Sequence, residues 1–143
     1  MKKLVIILIF ICTLTLTGCE KNRLVCTLEE ESIKDILSKT EYTFSFNEEN
    51  VKEVLMTTKM TLKGDYNDVV FIDSYVEMAN AAANSYNQIE GVTATVTNNK
   101  NVITLKVEML TILMNDEDKE NYALNLTKEE LKKDLEEAGY TCK

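Results

Sequence analysis

The side chains of this 143-residue chain with the reach to do chemistry are four thiols, a set of methionines and scattered carboxylates. Histidine and tryptophan are absent. No Ser-His-Asp triad can therefore form, no imidazole can draw off a thiol proton, and no indole can stack a sugar. Met56, Met60, Met78, Met109 and Met114 offer soft thioethers of the kind copper(I) takes. With no His beside them, and at strand spacing, they read as core packing. Asn115, Asp116, Glu117, Asp118 and Glu120 gather calcium-type oxygens, but without EF-hand spacing or its glycine, so a solvated loop is expected. Glu48 and Glu49 are adjacent carboxylates flanked by Asn47 and Asn50, a setting with no signal that would tune a pKa for acid–base work. Neither a phosphate loop nor a Ser-Lys motif is present. The chain reads as non-enzymatic, with no catalytic residue, metal ligand or cofactor expected.

Among the thiols, Cys19 has the most informative setting. Met1-Lys2-Lys3 is a basic start, and Leu4 to Leu14 is an almost unbroken apolar run, the layout of a bacterial export signal. The run falls short of the roughly 20 apolar residues of a spanning helix. It ends in Leu16-Thr17-Gly18-Cys19, which resembles the lipobox of bacterial lipoproteins. The resemblance implies that the Cys19 thiol takes a diacylglyceryl group and that the signal is cut just before it. On this reading residues 1–18 are a signal peptide, 19–23 a lipidated tether and 24–143 one globular domain. Lipid on Cys19 would hold the domain outside the cytoplasm at the cell membrane, since two or more acyl chains anchor firmly where one is marginal.

Removal of Lys2 and Lys3 with the signal leaves 14 Lys and Arg against 24 Asp and Glu, a net charge of −10. An acidic domain is a poor partner for nucleic acid and for anionic lipid surfaces, so the lipid itself must do the anchoring. With Cys12 in the signal and Cys19 carrying lipid, Cys26 and Cys142 are left as an even pair in an exported domain. Such a pair reads as one disulfide, the competing reading being two free, partly buried thiols. The bridge would tie the first strand to the last residues.

The elements that must position these groups follow from periodicity. Leu24 to Leu28 reads as a strand. Glu29 to Lys39 fits either a short helical turn or an irregular strand lead-in. Tyr42, Phe44 and Phe46 alternate with polar residues, as do Val54, Met56, Thr58, Met60 and Leu62, giving two half-buried strands around a turn at Asn47–Asn50. Tyr42, Phe44 and Phe46 belong to the core, or else line a groove for an apolar ligand. A helix is expected over 65–88 with Asp65 as its N-cap and a stripe of Val69, Ile72, Val76, Ala79, Ala83 and Tyr86. Gly91 follows its end. Val92–Val96 and Ile103–Met109 form a hairpin around Asn98–Asn101. Residues 111–126 give the weakest pattern, and Asn115–Asn121 reads as a loop. Thr127 and Glu130 make a capping box for a last helix that turns Leu131 and Leu135 inward and stops at Gly139. Tyr140-Thr141-Cys142 then returns to the first strand.

In order and spacing, the lipobox, Val25-Cys26, Tyr86 through Thr93, the hairpin, and Leu131 through Cys142 resemble the YehR-like family of small bacterial lipoproteins. Where that family often carries an Asp-aromatic pair late in the hairpin, this chain has Glu108-Met109. The resemblance implies a small exported lipoprotein and carries over no catalytic residue. The expected fold is α+β: an antiparallel sheet of about five strands with two helices packed on one face. The expected function is a lipid-anchored, non-enzymatic binding or organising role at the envelope, its protein or small-molecule partner unspecified. The alternative is a carrier of a small apolar ligand, with its pocket between helix 65–88 and the sheet.

Overall fold

The computed structural model describes residues 22–143. Leu16, Thr17, Gly18 and Cys19, with the rest of the expected signal, lie outside the described residues. Six strands form: β1 (Arg23–Ile33), β2 (Ile36–Asn47), β3 (Asn50–Leu62), β4 (Val92–Asn99), β5 (Val102–Leu110) and β6 (Thr141–Cys142). Three α-helices accompany them: α1 (Val69–Tyr86), α2 (Asp116–Asn121) and α3 (Lys128–Glu137). The sheet order is β4-β5-β3-β2-β1-β6, with every neighbouring pair antiparallel. The fold is α+β, as the sequence pattern predicts.

Period-two alternation sorts the strands into faces. Leu24, Phe44, Val54, Met109 and Val92 stand in one row across five strands, and Cys26, Tyr42, Met56, Val107 and Ala94 in the next. Apart from half-buried Tyr42, these side chains are buried. By the same register Thr43, Thr57, Thr93, Thr95 and Thr104 fall on the opposite face with Lys59, Lys106 and Glu108. The apolar face takes the helices: Ile72, Val76 and Ala79 of α1 pack near Ile36, Leu62 and Ile103, and Leu131 of α3 joins the main core.

Local chemistry moves several boundaries. Glu29–Lys39 is no helical turn: β1 and β2 continue through it around Lys34-Asp35, with Asp35 at a φ of 71° and its N–H donating to the Glu31 carboxylate at 3.0 Å. Gly64–Tyr66 forms a separate 3-10 turn, so α1 starts later than expected and Asp68, not Asp65, caps it by accepting the Val70 N–H at 2.9 Å. Val69 consequently leaves the apolar stripe and is 69% exposed. The polar run Asn115–Asn121 is not a loop. It forms α2, capped by the Asn115 side chain and favoured by three acidic residues in its first turn. The expected capping box is present: Glu130 N–H donates to the Thr127 hydroxyl oxygen at 3.3 Å and Thr127 N–H to the Glu130 carboxylate at 2.9 Å. Edge strand β4 is blunted by Asn87, whose amide donates to the Ala94 carbonyl at 3.0 Å and accepts the Ala94 N–H at 2.7 Å.

At the other edge Val25 and Lys143 exchange backbone hydrogen bonds of 3.1 and 2.8 Å. Cys26 and Cys142 are therefore the adjacent non-hydrogen-bonded pair, the position where facing strands bring side chains closest. Their Cα atoms are 4.1 Å apart and their sulfurs lie at disulfide bonding distance, closing a sequence separation of 116 residues. Two results should follow. Reduction should raise the intact mass by two hydrogens. The Cys26→Ser, Cys142→Ser double variant should lose about 2–4 kcal/mol in urea denaturation, the typical worth of such a closure. An unchanged mass on reduction would show that the pair is not bonded in solution.

Candidate functional site

Covering the sheet with helices leaves its centre uncovered. α1 lies over β4 and β5, and α3 lies against β1 and β6. α1 also packs on Ile36 and Leu62 at one end of β2 and β3, but over Tyr42, Phe44, Val54 and Met56 the inner face is met chiefly by the short connection from α2 to α3. A cavity of about 270 Å³ is left there. Its floor is Tyr42, Phe44, Val54, Met56 and Met109; Ala123, Leu124 and Leu126 cover it; Tyr86 and Tyr122 stand on one side, Leu131, Asp134 and Leu135 on the other. The cavity is slightly smaller than common small-ligand clefts of roughly 300–1,000 Å³. It exceeds the ~150 Å³ that accommodates benzene in an apolar core. The covering segment is held by backbone bonds to α2, Leu124 N–H donating to the Lys119 carbonyl at 2.8 Å, and Ala123 takes a left-handed φ of 55°.

The lining is aromatic and almost uncharged. Tyr42 stacks on Phe44 with ring centroids 5.7 Å apart and meets Tyr140 at 5.7 Å, while Tyr86 and Tyr122 lie 6.2 Å apart. Burial pushes the Tyr42 phenol up to about 12, helped by the neighbouring phenols of Tyr140 and Tyr86. Burial also raises Tyr122, with Tyr86 and Asp118 adding to the shift, and raises Tyr140, with Glu30 adding. At neutral pH these phenols are protonated and can donate a hydrogen bond to a ligand oxygen. Asp134 supplies the single carboxylate of the lining.

The structure places a recess of about 190 Å³, smaller than this cavity, at the expected position between α1 and the sheet. It is lined by Thr58, Met60, Tyr75, Met78, Ala79, Ile103 and Leu105. Met56 and Thr58 are successive inward residues of β3, so the recess follows the cavity along that strand. Of the residues read as core or groove, Tyr42 and Phe44 line the cavity and Phe46 is buried core. Met56, Met109 and Met114 are buried as expected. Met78 corrects the core reading, being 63% exposed on α1. Tyr86 lies on the helix whose sheet-facing side was expected to border a pocket, whereas Asp134 comes from a segment that gave no ligand-site pattern. Tyr122, Leu124 and Leu126 were the apolar residues of an otherwise polar stretch, which was the available signal. Among the described residues no group of three or more Cys, Asp or Glu is arranged to hold a metal ion. Nor is any helix there long and apolar enough to cross a membrane.

No family model matches the chain, and no curated protein matches it. In fold it is similar to a protein from Streptococcus pneumoniae TIGR4 solved by NMR, at a TM-score of 0.52 and 10% identity over 85% of each chain. That likeness concerns the fold alone.

The raised Tyr42 value carries a pH dependence. A phenol that is harder to ionise when folded stabilises the fold fully below the ordinary value of 10.0, and that contribution is lost as pH climbs toward about 12. Spectrophotometric titration should show a late tyrosine ionisation extending toward about pH 12, and Tyr42→Phe should remove that late step. A late step that survives in Tyr42→Phe would assign it elsewhere.

Proposed function

We propose that this chain is an exported envelope lipoprotein, anchored by lipid on Cys19, with a non-enzymatic binding role, and that the cavity over β2 and β3 takes a small apolar ligand. The observation that carries the binding reading is the cavity itself. About 270 Å³ with an apolar and aromatic lining is left over the middle of the sheet, beside rows such as Leu24 and Val92 that are packed. Apolar lining left without protein partners forfeits burial, worth roughly 25 cal/mol per Å². Occupation by an apolar molecule recovers it. The hydroxyls of Tyr42, Tyr86 and Tyr122 and the carboxyl group of Asp134 suit a ligand with one polar end and an apolar body. The thiols of the domain face one another at disulfide distance, so neither serves as a nucleophile in that state. The anchoring reading rests on the basic start, the apolar run and Leu16-Thr17-Gly18-Cys19, and the YehR-like resemblance agrees with it.

Two measurements test the two halves separately. Cells fed labelled palmitate should label the wild-type protein and not Cys19→Ala; label in neither would remove the anchor. For binding, the lipid-free Cys19→Ala protein is titrated with the neutral fluorophore N-phenyl-1-naphthylamine. Saturable enhancement is expected, weakened at least about tenfold by Leu135→Trp, which fills the side of the cavity (~1.4 kcal/mol of binding energy per factor of ten). A folded wild-type domain that never saturates would refute the ligand site.

A further inference from the structure

The strongest unassigned feature is the short turn Thr111–Leu113, where aliphatic side chains point into solvent. Ile112 is 87% exposed and Leu113 51%, and Leu110 before them is 40% exposed. Their base is fixed. Thr111 is buried, and its hydroxyl donates to the Val51 carbonyl at 2.7 Å with the Lys52 carbonyl at 2.9 Å. Leu110 N–H donates to the Gly91 carbonyl at 2.8 Å. Gly91 has a φ of 81°, and a Cβ there would come within 2.8 Å of both the Leu110 carbonyl and the Leu113 side chain. Met114 beyond the turn is buried again. The fold thus holds two aliphatic side chains out on a rigid base.

Where this turn sits points to what it meets. The Phe46 N–H donates to the Asn22 carbonyl at 2.8 Å, Phe46 pairs with Val51, and the Val51 carbonyl takes the Thr111 hydroxyl. The entry of the N-terminal segment and the aliphatic turn therefore share one transverse line, about three strand spacings or ~14 Å apart. Glu20 and Lys21 alone separate Cys19 from Asn22, and three residues of extended chain reach no more than about 11 Å. A lipid on Cys19 would bring this end of the sheet, and no other, against the bilayer.

We propose that Ile112 and Leu113 form a membrane-contact surface that rests this end of the domain on the outer leaflet of the bilayer holding Cys19. The inference rests on the lipid-anchored reading and adds to it a fixed orientation. The contact is subordinate to the anchor. Glu48 and Glu49 in the β2–β3 turn and Glu90 before Gly91 lie at the same end and would oppose anionic lipid. Two aliphatic side chains bind weakly alone, but the tether raises their effective concentration at the surface. The other exposed aliphatic pair, Val69 and Val70, begins α1 beyond the far end of β3, roughly 30 Å away along the strand. It provides an internal control.

The chain contains no tryptophan, so one substitution gives a clean reporter. Full-length lipidated protein carrying Ile112→Trp or Val70→Trp is reconstituted into phosphatidylcholine vesicles, recovered by flotation, and its emission quenched with doxyl-labelled lipid. Ile112→Trp is expected to shift to the blue and to be quenched at least severalfold more than Val70→Trp. Protein that floats with an unshifted, unquenched Ile112→Trp overturns the contact while leaving the anchor in place. Protein that fails to float overturns both. A blue shift of Ile112→Trp without vesicles would assign the turn to contact between protein molecules instead, and equal quenching at both ends would overturn the fixed orientation.

Discussion

A single sheet with one apolar face must have that face covered, and everything else in this domain answers to that requirement. Rows such as Leu24–Phe44–Val54–Met109–Val92 exist because each strand alternates and the registers hold across these rows, shifting only beyond them at Ser45/Phe46 and Glu30/Ile33. Each fully buried aliphatic side chain is worth roughly 1.5–3 kcal/mol relative to exposure, so a slip of one residue in any strand would expose several at once. Two helices of moderate length cover the flanks of the face, α1 over β4 and β5 and α3 near β1 and β6. The middle falls to a short connection that is too thin to fill it. The cavity is the geometric remainder of covering a wide sheet with two separated helices.

The chain ends are fixed by the same sheet. β6 is only two residues long, yet it carries the Cys26–Cys142 contact and is followed at once by the Lys143–Val25 backbone pair. It binds the end of α3 to β1 through Tyr140, whose ring meets Tyr42 on the cavity floor. The close Cys26–Cys142 pair thus does more than bring the chain ends together. It holds α3, and with it Leu131, Asp134 and Leu135, at the side of the cavity.

Much of the fold was legible because local chemistry and tertiary pattern agreed. Tyr42, Phe44 and Phe46, and Val54 through Leu62, announce strands by alternation. Thr127 with Glu130 announces a helix start, and the hairpin from Val92 to Met109 is announced by alternation, although Gly91 before it does not end the helix, which stops at Tyr86 with Asn87 as its C-cap. Glu29–Lys39 was ambiguous because its Glu-rich sequence has no clear period; pairing along the length of β2 makes it strand. The start of α1 was misplaced because Gly64–Tyr66 takes a tighter turn before Asp68 caps the helix. Asn115–Asn121 read as a loop because it lacks an apolar stripe, although its capping residue and acidic first turn were visible. The cavity was illegible for a different reason. Its lining comes from three strands, two helices and a connection, and a void between elements leaves no periodic mark in any one of them.

The most direct measurement of the central claim, that the uncovered centre of the sheet is an apolar space able to receive a molecule, is diffraction from crystals of the domain under xenon pressure. The account predicts xenon density among Tyr42, Met56, Leu124 and Leu131, since xenon binds in apolar spaces that protein side chains leave unfilled. A centre packed solid by Leu124 and Leu126, with no xenon between the sheet and the α2–α3 connection, would contradict it.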